Sequence, residues 1–267
     1  MQLGNFIKYL DQGLYKEYVQ ENFLEKTRET PVSQVDITKI HTPLYRIESP
    51  LSQLKKISQL KWDHPAKKYV DKRKIPPKTH YKLFYCPKFK SWVNTIIPEK
   101  FNTEDDEPRL IIPFLDKEEK MYGFQGRSFR KDGLRYITIM VNPDAPKVFG
   151  LDTIDLSKHV YVTEGPIDSL FLDNCLAMAG SDLDLTKVLG DNKNVTVCYD
   201  NEPRNKEIVK KVEYMIEKGY NVVIWPQSVQ LKDINDMVLE GIDVKKVIAE
   251  NSFKGLEAKL RLTAWRK

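Results

Sequence analysis

Cysteine is scarce in this chain: three residues among 267, Cys86, Cys175 and Cys198, lie far apart. No CxxC or HxxxH spacing occurs, which argues against a structural zinc site and leaves the three as reduced core thiols. No apolar run approaches the length of a bilayer span. Met1 to Glu21 mixes apolar and polar residues and lacks the apolar centre of a secretory signal, so a cytoplasmic location is expected. Internal repeats and low-complexity tracts are absent as well. Neither charge sign dominates: the net charge is +5, with 30% charged and 41% hydrophobic residues. That is an ordinary globular balance, long enough for one large domain or two modest ones.

The charge is unevenly spread. From Lys55 to Lys90 lysine and arginine recur, opposed only by Asp63 and Asp71 and interleaved with Trp62, Tyr69, Tyr81, Phe84, Tyr85 and Phe89. Cations beside rings suit a single-stranded nucleic acid, because phosphates meet charge and bases stack. A solvated helix face over core aromatics explains the same pattern equally well.

Apolar spacing of three and four predicts a helix over 3–24, through Leu3, Ile7, Leu10, Leu14 and Tyr18. Pro31, Pro43 and Pro50 mark 26–50 as a linker or extended arm. A helix over 65–73 begins with Pro65, preceded by Asp63, and is stopped by Pro76 and Pro77. Three strands come next, Arg109–Leu115, Met121–Arg127 and Leu134–Met140, separated by charged turns and forming a small antiparallel sheet. From residue 159 strand and helix alternate. Strands are expected at His159–Thr163, Cys175–Ala179, Val195–Tyr199 and Asn221–Trp225, and helices at Pro166–Asn174, Leu183–Leu189 and Asn205–Lys218. Alternation of this kind implies parallel strands covered by helices.

Three acidic clusters follow apolar segments: Glu164-Gly-Pro-Ile-Asp168, Asp200-Asn-Glu202, and Lys232-Asp233-Ile-Asn-Asp236. In a parallel sheet all three reach the carboxyl edge, where open α/β sheets place their chemistry. Gathered carboxylates raise one another's pKa unless a cation neutralises them, and magnesium is the natural ion for an all-oxygen site. Taken singly, each cluster also reads as a helix cap, and Lys232 reads as a partner for Asp233.

The set of three, in this order, resembles the Toprim domain of primases, topoisomerases and some nucleases. Glu202 stands where most Toprim domains carry Asp. Upstream, Arg109-Leu-Ile-Ile-Pro-Phe-Leu-Asp116, Gly123-Phe-Gln-Gly-Arg127, Arg135-Tyr-Ile-Thr138 and Lys147-Val-Phe-Gly150 resemble the basic subdomain of bacterial and phage primases. So does His64-Pro-Ala-x-x-Tyr69-Val-x-x-Arg73. The phrases 164–171, 200–204 and 232–237 are similar to the T-even branch of that family, and the resemblance covers essentially the whole chain.

This resemblance implies an α/β chain: an α+β N-terminal subdomain with a small antiparallel sheet, then a Toprim α/β domain with a parallel sheet and a helical C-terminus. The expected divisions are 1–55 (helix and arm), 56–155 (basic subdomain), 156–241 (Toprim) and 242–267 (helical segment). It implies DNA primase activity during phage replication: nucleotidyl transfer from ribonucleoside triphosphates on a single-stranded DNA template, in the host cytoplasm. Glu164, Asp200 and Glu202 would be the catalytic ligands of Mg²⁺ or Mn²⁺. Asp168, Asp233 and Asp236 would hold a further metal or support the first, and Arg109, Arg127, Arg135 and Lys147 would contact triphosphate or template. A hexameric replicative helicase is an implied partner. The family's zinc ribbon has no ligands in this sequence and would be supplied in cis or in trans. Gly123 and Gly126 permit either backbone approach to a phosphate or base, or a tight strand turn; Phe124 is either a stacking ring or core. Another Toprim enzyme, such as a nuclease, and a non-catalytic replisome adaptor are the rival readings.

Overall fold

The computed structural model describes residues 15–16, 49–130, 133–180 and 185–267. Tyr15 and Lys16 are helical; the rest of the helix expected over 3–24, and nearly all of the arm at 26–50, lie outside the described residues. Glu48–Lys267 forms one compact unit, built on two sheets.

The first sheet has five antiparallel strands in sequence order: β1 (Lys55–Lys56), β2 (Phe84–Cys86), β3 (Arg109–Leu115), β4 (Met121–Ser128) and β5 (Tyr136–Met140). The three expected strands are present, and the two short ones before them fall within the basic stretch. Helix α1 (Pro65–Lys72) starts as its proline dictates, but His64 caps it rather than Asp63: the imidazole Nδ1 accepts from the Ala66 amide at 3.1 Å. Helix α2 (Phe89–Ile96) covers one face of the sheet.

Strand β3 is buried on both faces, which explains its unbroken apolar run. Leu110, Ile112 and Phe114 join the core shared with the second sheet, whereas Ile111 packs with Phe89, Trp92, Val93 and Phe124. Each such burial stabilises by roughly 1.5–3 kcal/mol. Phe124 is therefore core. Gly126 is glycine because a Cβ would lie 2.4 Å from the Phe89 ring, so the close approach it allows is to that ring.

The second sheet has the order β11-β10-β9-β7-β8-β6. Strands β7 (Val160–Thr163), β8 (Cys175–Met178), β9 (Val195–Cys198) and β10 (Asn221–Val223) are parallel. The edges β6 (Val148–Phe149) and β11 (Ser252–Phe253) run antiparallel, so the sheet is mixed rather than wholly parallel. Helix α3 is only Pro166–Ser169, shorter than the expected 166–174. The chain turns after it, and Asn174 sits at φ 49°, outside helical geometry. Helix α4 (Leu185–Leu189) covers the described part of the helix expected over 183–189, and α5 (Lys206–Glu217) comes as expected, with Asn205 as its cap. Helices α6 (Ile234–Leu239), α7 (Val244–Glu250) and α8 (Gly255–Trp265) complete the chain. Cys86 and Cys198 are buried, Cys175 is half-buried, and all three are free thiols. No described helix is long and apolar enough to cross a membrane.

Candidate active site

Strand order decides where chemistry collects. From β7 the chain steps to β8 on one side, then returns across β7 to β9 and β10 on the other. The reversal lies between β7 and β9, and the crevice at the carboxyl ends of such a pair is where open α/β sheets bind ligands. Glu164 follows β7 and Asp200 lies two residues beyond β9, so both flank this crevice. Asp168 lies in α3 and folds back over Gly165, where a Cβ would stand 2.6 Å from its Oδ2. The third cluster is drawn in by hydrogen bonds. The Asn201 amide donates to the Lys232 carbonyl at 2.7 Å, and the Asn201 side chain donates to the Val229 and Leu231 carbonyls. Asp233 caps α6, accepting from the Asp236 amide at 2.7 Å, and the Asn235 amide donates to Asp168 Oδ1 at 3.0 Å.

The carboxylates interact as expected for like charges in a crevice. Burial first, then the charges of Glu164, Asp233 and Glu202 against relief from Lys232, push Asp200 up to about 7. Burial, with Asp233 and Asp200 adding to it, pushes Asp168 up to about 7; the Asn235 amide and Arg127 oppose. Asp236 is also raised, by burial and Asp233, with Arg73, Arg127 and Arg135 opposing. Glu164 Oε2 is buried with no hydrogen-bond partner.

Lys232 does not pair with Asp233. Its ammonium lies 3.2 Å from Glu202 Oε1 and 3.7 Å from Asp200 Oδ2, while Lys211 lies 3.7 Å from Glu164 Oε1. Burial lowers the proton affinity of Lys232, but its bond to Glu202 and the surrounding carboxylates raise it more. Two lysines therefore stand as counter-ions to the crevice. Among the described residues no three carboxylates are already gathered closely enough to enclose a cation. An orphaned buried carboxylate oxygen beside carboxylates that hold protons up to about pH 7 is nevertheless a donor set that fits a hard divalent ion.

Facing this edge is a basic cleft of about 550 Å³, lined by Tyr69, Lys72, Arg73, Arg127, Arg130, Arg135 and Leu239 among others. Tyr69 on α1 and Arg73, which caps its C-terminal end, are one turn apart, and the Tyr69 hydroxyl accepts from Arg73 Nε at 2.9 Å and also from Arg127 Nε. Arg127 is buried between Tyr69 and Tyr136, with its Cζ 4.6 Å from the Tyr136 ring centre. Arg130 and Arg135 are exposed. Asn235 ties cleft to crevice: its side chain accepts from Arg73 at 2.5 Å and donates to the Arg73 carbonyl at 2.7 Å, while its amide holds Asp168.

Among the residues expected to touch ligand, Arg127 and Arg135 line the cleft. Lys147 is exposed beside Gly180, just past β8. Arg109 is elsewhere: it is buried, bound to Glu107 and to the Gly126 and Leu134 carbonyls, with its guanidinium over Phe89. It anchors the first sheet. Tyr69, Arg73, Arg130 and Asn235 received no role from sequence; the i,i+4 pair Tyr69/Arg73 on a basic helix was the available signal.

Two layers, a Toprim-like crevice and a basic antiparallel sheet, define the catalytic-core architecture of a primase. No family model matches the chain. It is 35% identical over 272 residues to the DNA primase of Enterobacteria phage T4, covering 99% of this chain and 78% of that protein. The E. coli primase catalytic core aligns with TM-score 0.58 at 16% identity, over 78% of this chain and 79% of that one. A DnaG primase catalytic domain bound to ssDNA aligns with TM-score 0.59 at 15% identity, over 80% and 77%. The zinc-binding and RNA polymerase domains of the Aquifex aeolicus primase give 0.55 at 20%, over 76% of this chain and 60% of that one. The chain belongs to the DNA primase family, with the fold of the DnaG catalytic core and the enzyme class that goes with it.

Proposed function

We propose that the crevice between β7 and β9 synthesises short RNA primers on single-stranded DNA, using ribonucleoside triphosphates and Mg²⁺ or Mn²⁺. The observation that carries this reading is the pairing at the strand-order reversal: Glu164, with an unpartnered buried oxygen, interacting with Asp200, opposite an arginine-lined cleft. Glu164, Asp200 and Glu202 are the ligands assigned to the ion. Asp168 and Asp233 support them, held by Asn235 and by the α6 cap, and Asp236 lies on the side nearest the arginines. A bound divalent ion would supply charge neutralisation at the attacking and leaving oxygens.

The chain's own groups do the rest. In the reaction a 3′-hydroxyl oxygen bonds to the α-phosphorus of the incoming nucleotide, the bond to pyrophosphate breaks, and the hydroxyl proton leaves. Arg127 and Arg73, fixed by Tyr69, and the freer Arg130 and Arg135 offer guanidinium forks to triphosphate or template oxygens. Lys147 offers a further cation past β8. Lys232 and Lys211 must move as the ion and triphosphate arrive; Lys232 is exposed and Lys211 half-buried, and both reach their carboxylates on long flexible stems. A bound template is what a basic cleft of this size suits, and the ssDNA complex of the DnaG domain that this fold matches supports it. A zinc ribbon, in cis or in trans, and a hexameric helicase are the partners this reading brings, at work in the host cytoplasm.

The test is to incubate the chain with ribonucleoside triphosphates, Mg²⁺ and single-stranded DNA. RNA made by the wild type and not by Asp200→Asn is the expected result. Strand cleavage without synthesis would point instead to a Toprim nuclease, and neither activity to an adaptor.

A further inference from the structure

The basic stretch around α1 contains two exposed rings, Trp62 and Tyr81, and Trp62, beside α1, is the more exposed. Trp62 is 79% exposed, just ahead of α1, whereas the other tryptophans, Trp92, Trp225 and Trp265, are buried. Phe84 and Phe89 of the same stretch are core. An exposed indole contributes little to packing, so its place beside a cationic helix calls for another explanation. The Lys68 ammonium lies 5.9 Å from the Trp62 ring centre. Lys68 and Lys72 are one turn apart on the same face of α1, both exposed, and Lys72 is already in the wall of the arginine cleft. Lys67, by contrast, turns inward to His80 at 2.7 Å. The ridge therefore runs from Trp62 through Lys68 and Lys72 to Arg73, Arg127 and Arg135. One turn of helix adds about 5.4 Å, so the ring stands roughly 12 Å from the cleft. That is three to four nucleotides at about 3.4 Å stacked spacing.

We propose that Trp62 is a stacking platform for a base of the single-stranded template, with Lys68 and Lys72 carrying its phosphates along α1 into the cleft. Cations set beside an accessible ring form the arrangement that holds a single strand without reading its sequence. Asp63 and Asp71 are the two acids of this stretch, against Lys61, Lys67, Lys68, Lys72, Arg73 and Lys74, so the ridge stays positive. This inference rests on the proposed template binding and adds to it the path the strand takes and the residue that grips it.

The test uses the full chain and a dye-labelled dT12 strand, with two readouts: anisotropy of the dye and emission of the tryptophans. Because the other three indoles are buried, quenching on addition of dT12 reports a base on Trp62. The expected result is quenching in wild type and an affinity reduced about 5- to 100-fold in Trp62→Ala. Trp62→Phe should bind within about 3-fold of wild type, as stacking needs a ring rather than an indole. Melting temperatures should match throughout, because the side chain is exposed. Wild-type affinity in Trp62→Ala, or binding of the strand without quenching, would overturn the platform while leaving template binding intact; the ring would then be free for a protein partner. A loss that Trp62→Phe does not restore would also overturn it. No binding of dT12 by the wild type would remove both readings together.

Discussion

The acidic crevice and the basic cleft face each other with opposite charge and are held by opposite means. In the crevice, carboxylates are neutralised by two lysines at 3.2–3.7 Å, and Asp168 and Asp200 keep protons up to about pH 7. In the cleft, Arg73 and Arg127 are held by neutral acceptors, the Tyr69 hydroxyl and the Asn235 amide oxygen, with rings on either side. A lysine on a long stem leaves when a better cation arrives; an arginine locked by a hydroxyl and a ring does not. On the proposed reading, the crevice exchanges its counter-ions while the cleft keeps its shape. Asn235 spans both, so the rigid side sets the position of Asp168 on the exchangeable one.

The largest effect that would sharpen this contrast is on synthesis. Asp200→Asn should reduce primer synthesis by about 1,000-fold, since an ion's contribution of several kcal/mol is lost. The melting temperature should hold or rise by about 2–4 °C, because one repelling charge is removed. Synthesis retained at saturating Mg²⁺ would break the assignment. Next, Tyr69→Phe should cost about 2–3 kcal/mol of stability, as two guanidinium donors lose their shared acceptor. Thermal or urea unfolding reads this directly, and an unchanged midpoint would mean the cleft is not held as described. Third, Arg130→Glu with Arg135→Glu should weaken strand binding about 10- to 30-fold at low salt, with a salt slope shallower by about two. Both residues are exposed, so folding and Mg²⁺ response should persist.

Much of the crevice was legible before the fold was seen. Glu164 and Asp200 announce themselves because each follows an apolar strand and strand-helix alternation brings those ends to one edge, whereas Asp233 lies ten residues past β10 and is brought there by the loop hydrogen bonds of Asn201. Other features carried no readable signal. The antiparallel edges Val148–Phe149 and Ser252–Phe253 are two residues long, too short for any period. Helix Pro166–Ser169 ends early although apolar spacing continues through Leu170, Phe171 and Leu172, because those residues pack in turns before Asn174. Arg109 looks like its neighbours Arg127 and Arg135 in sequence, yet it lies in the sheet against Phe89. Nothing local separates an arginine spent on carbonyls from one facing a ligand. Lys232 was read through its chain neighbour Asp233, but a loop hydrogen bond, Asn201 to Lys232, carries it to Asp200 and Glu202 instead.

Smaller effects test the exchangeable side alone. Asp168 and Asp200 bind protons more tightly folded, up to about 7, than unfolded, near 3.8. The metal-free protein should therefore be most favoured by these groups below about pH 4 and lose that stability as pH climbs through 7. Asp173, held at about 2 by hydrogen bonds from Lys245 and Lys78, acts in the other direction and in a separate window, below pH 4. Melting between pH 5 and 8 without divalent ions would show the fall, and saturating Mg²⁺ should flatten it. A flat profile without metal would mean the crevice does not store repulsion. Smallest of all, Lys232→Met should alter stability by less than about 1 kcal/mol, because an exposed ammonium contributes little net. A loss as large as that expected for Tyr69→Phe would erase the distinction between the two sides.

The central claim is that a divalent cation replaces the lysines at the β7–β9 crevice, and its most direct test is anomalous diffraction from a crystal soaked in Mn²⁺. The account predicts a manganese peak at about 2.0–2.3 Å from oxygens of Glu164, Asp200 or Glu202, with Lys232 turned away from Asp200. A peak elsewhere in the molecule, with none near these three and Lys232 still bridging Asp200 and Glu202, would contradict it.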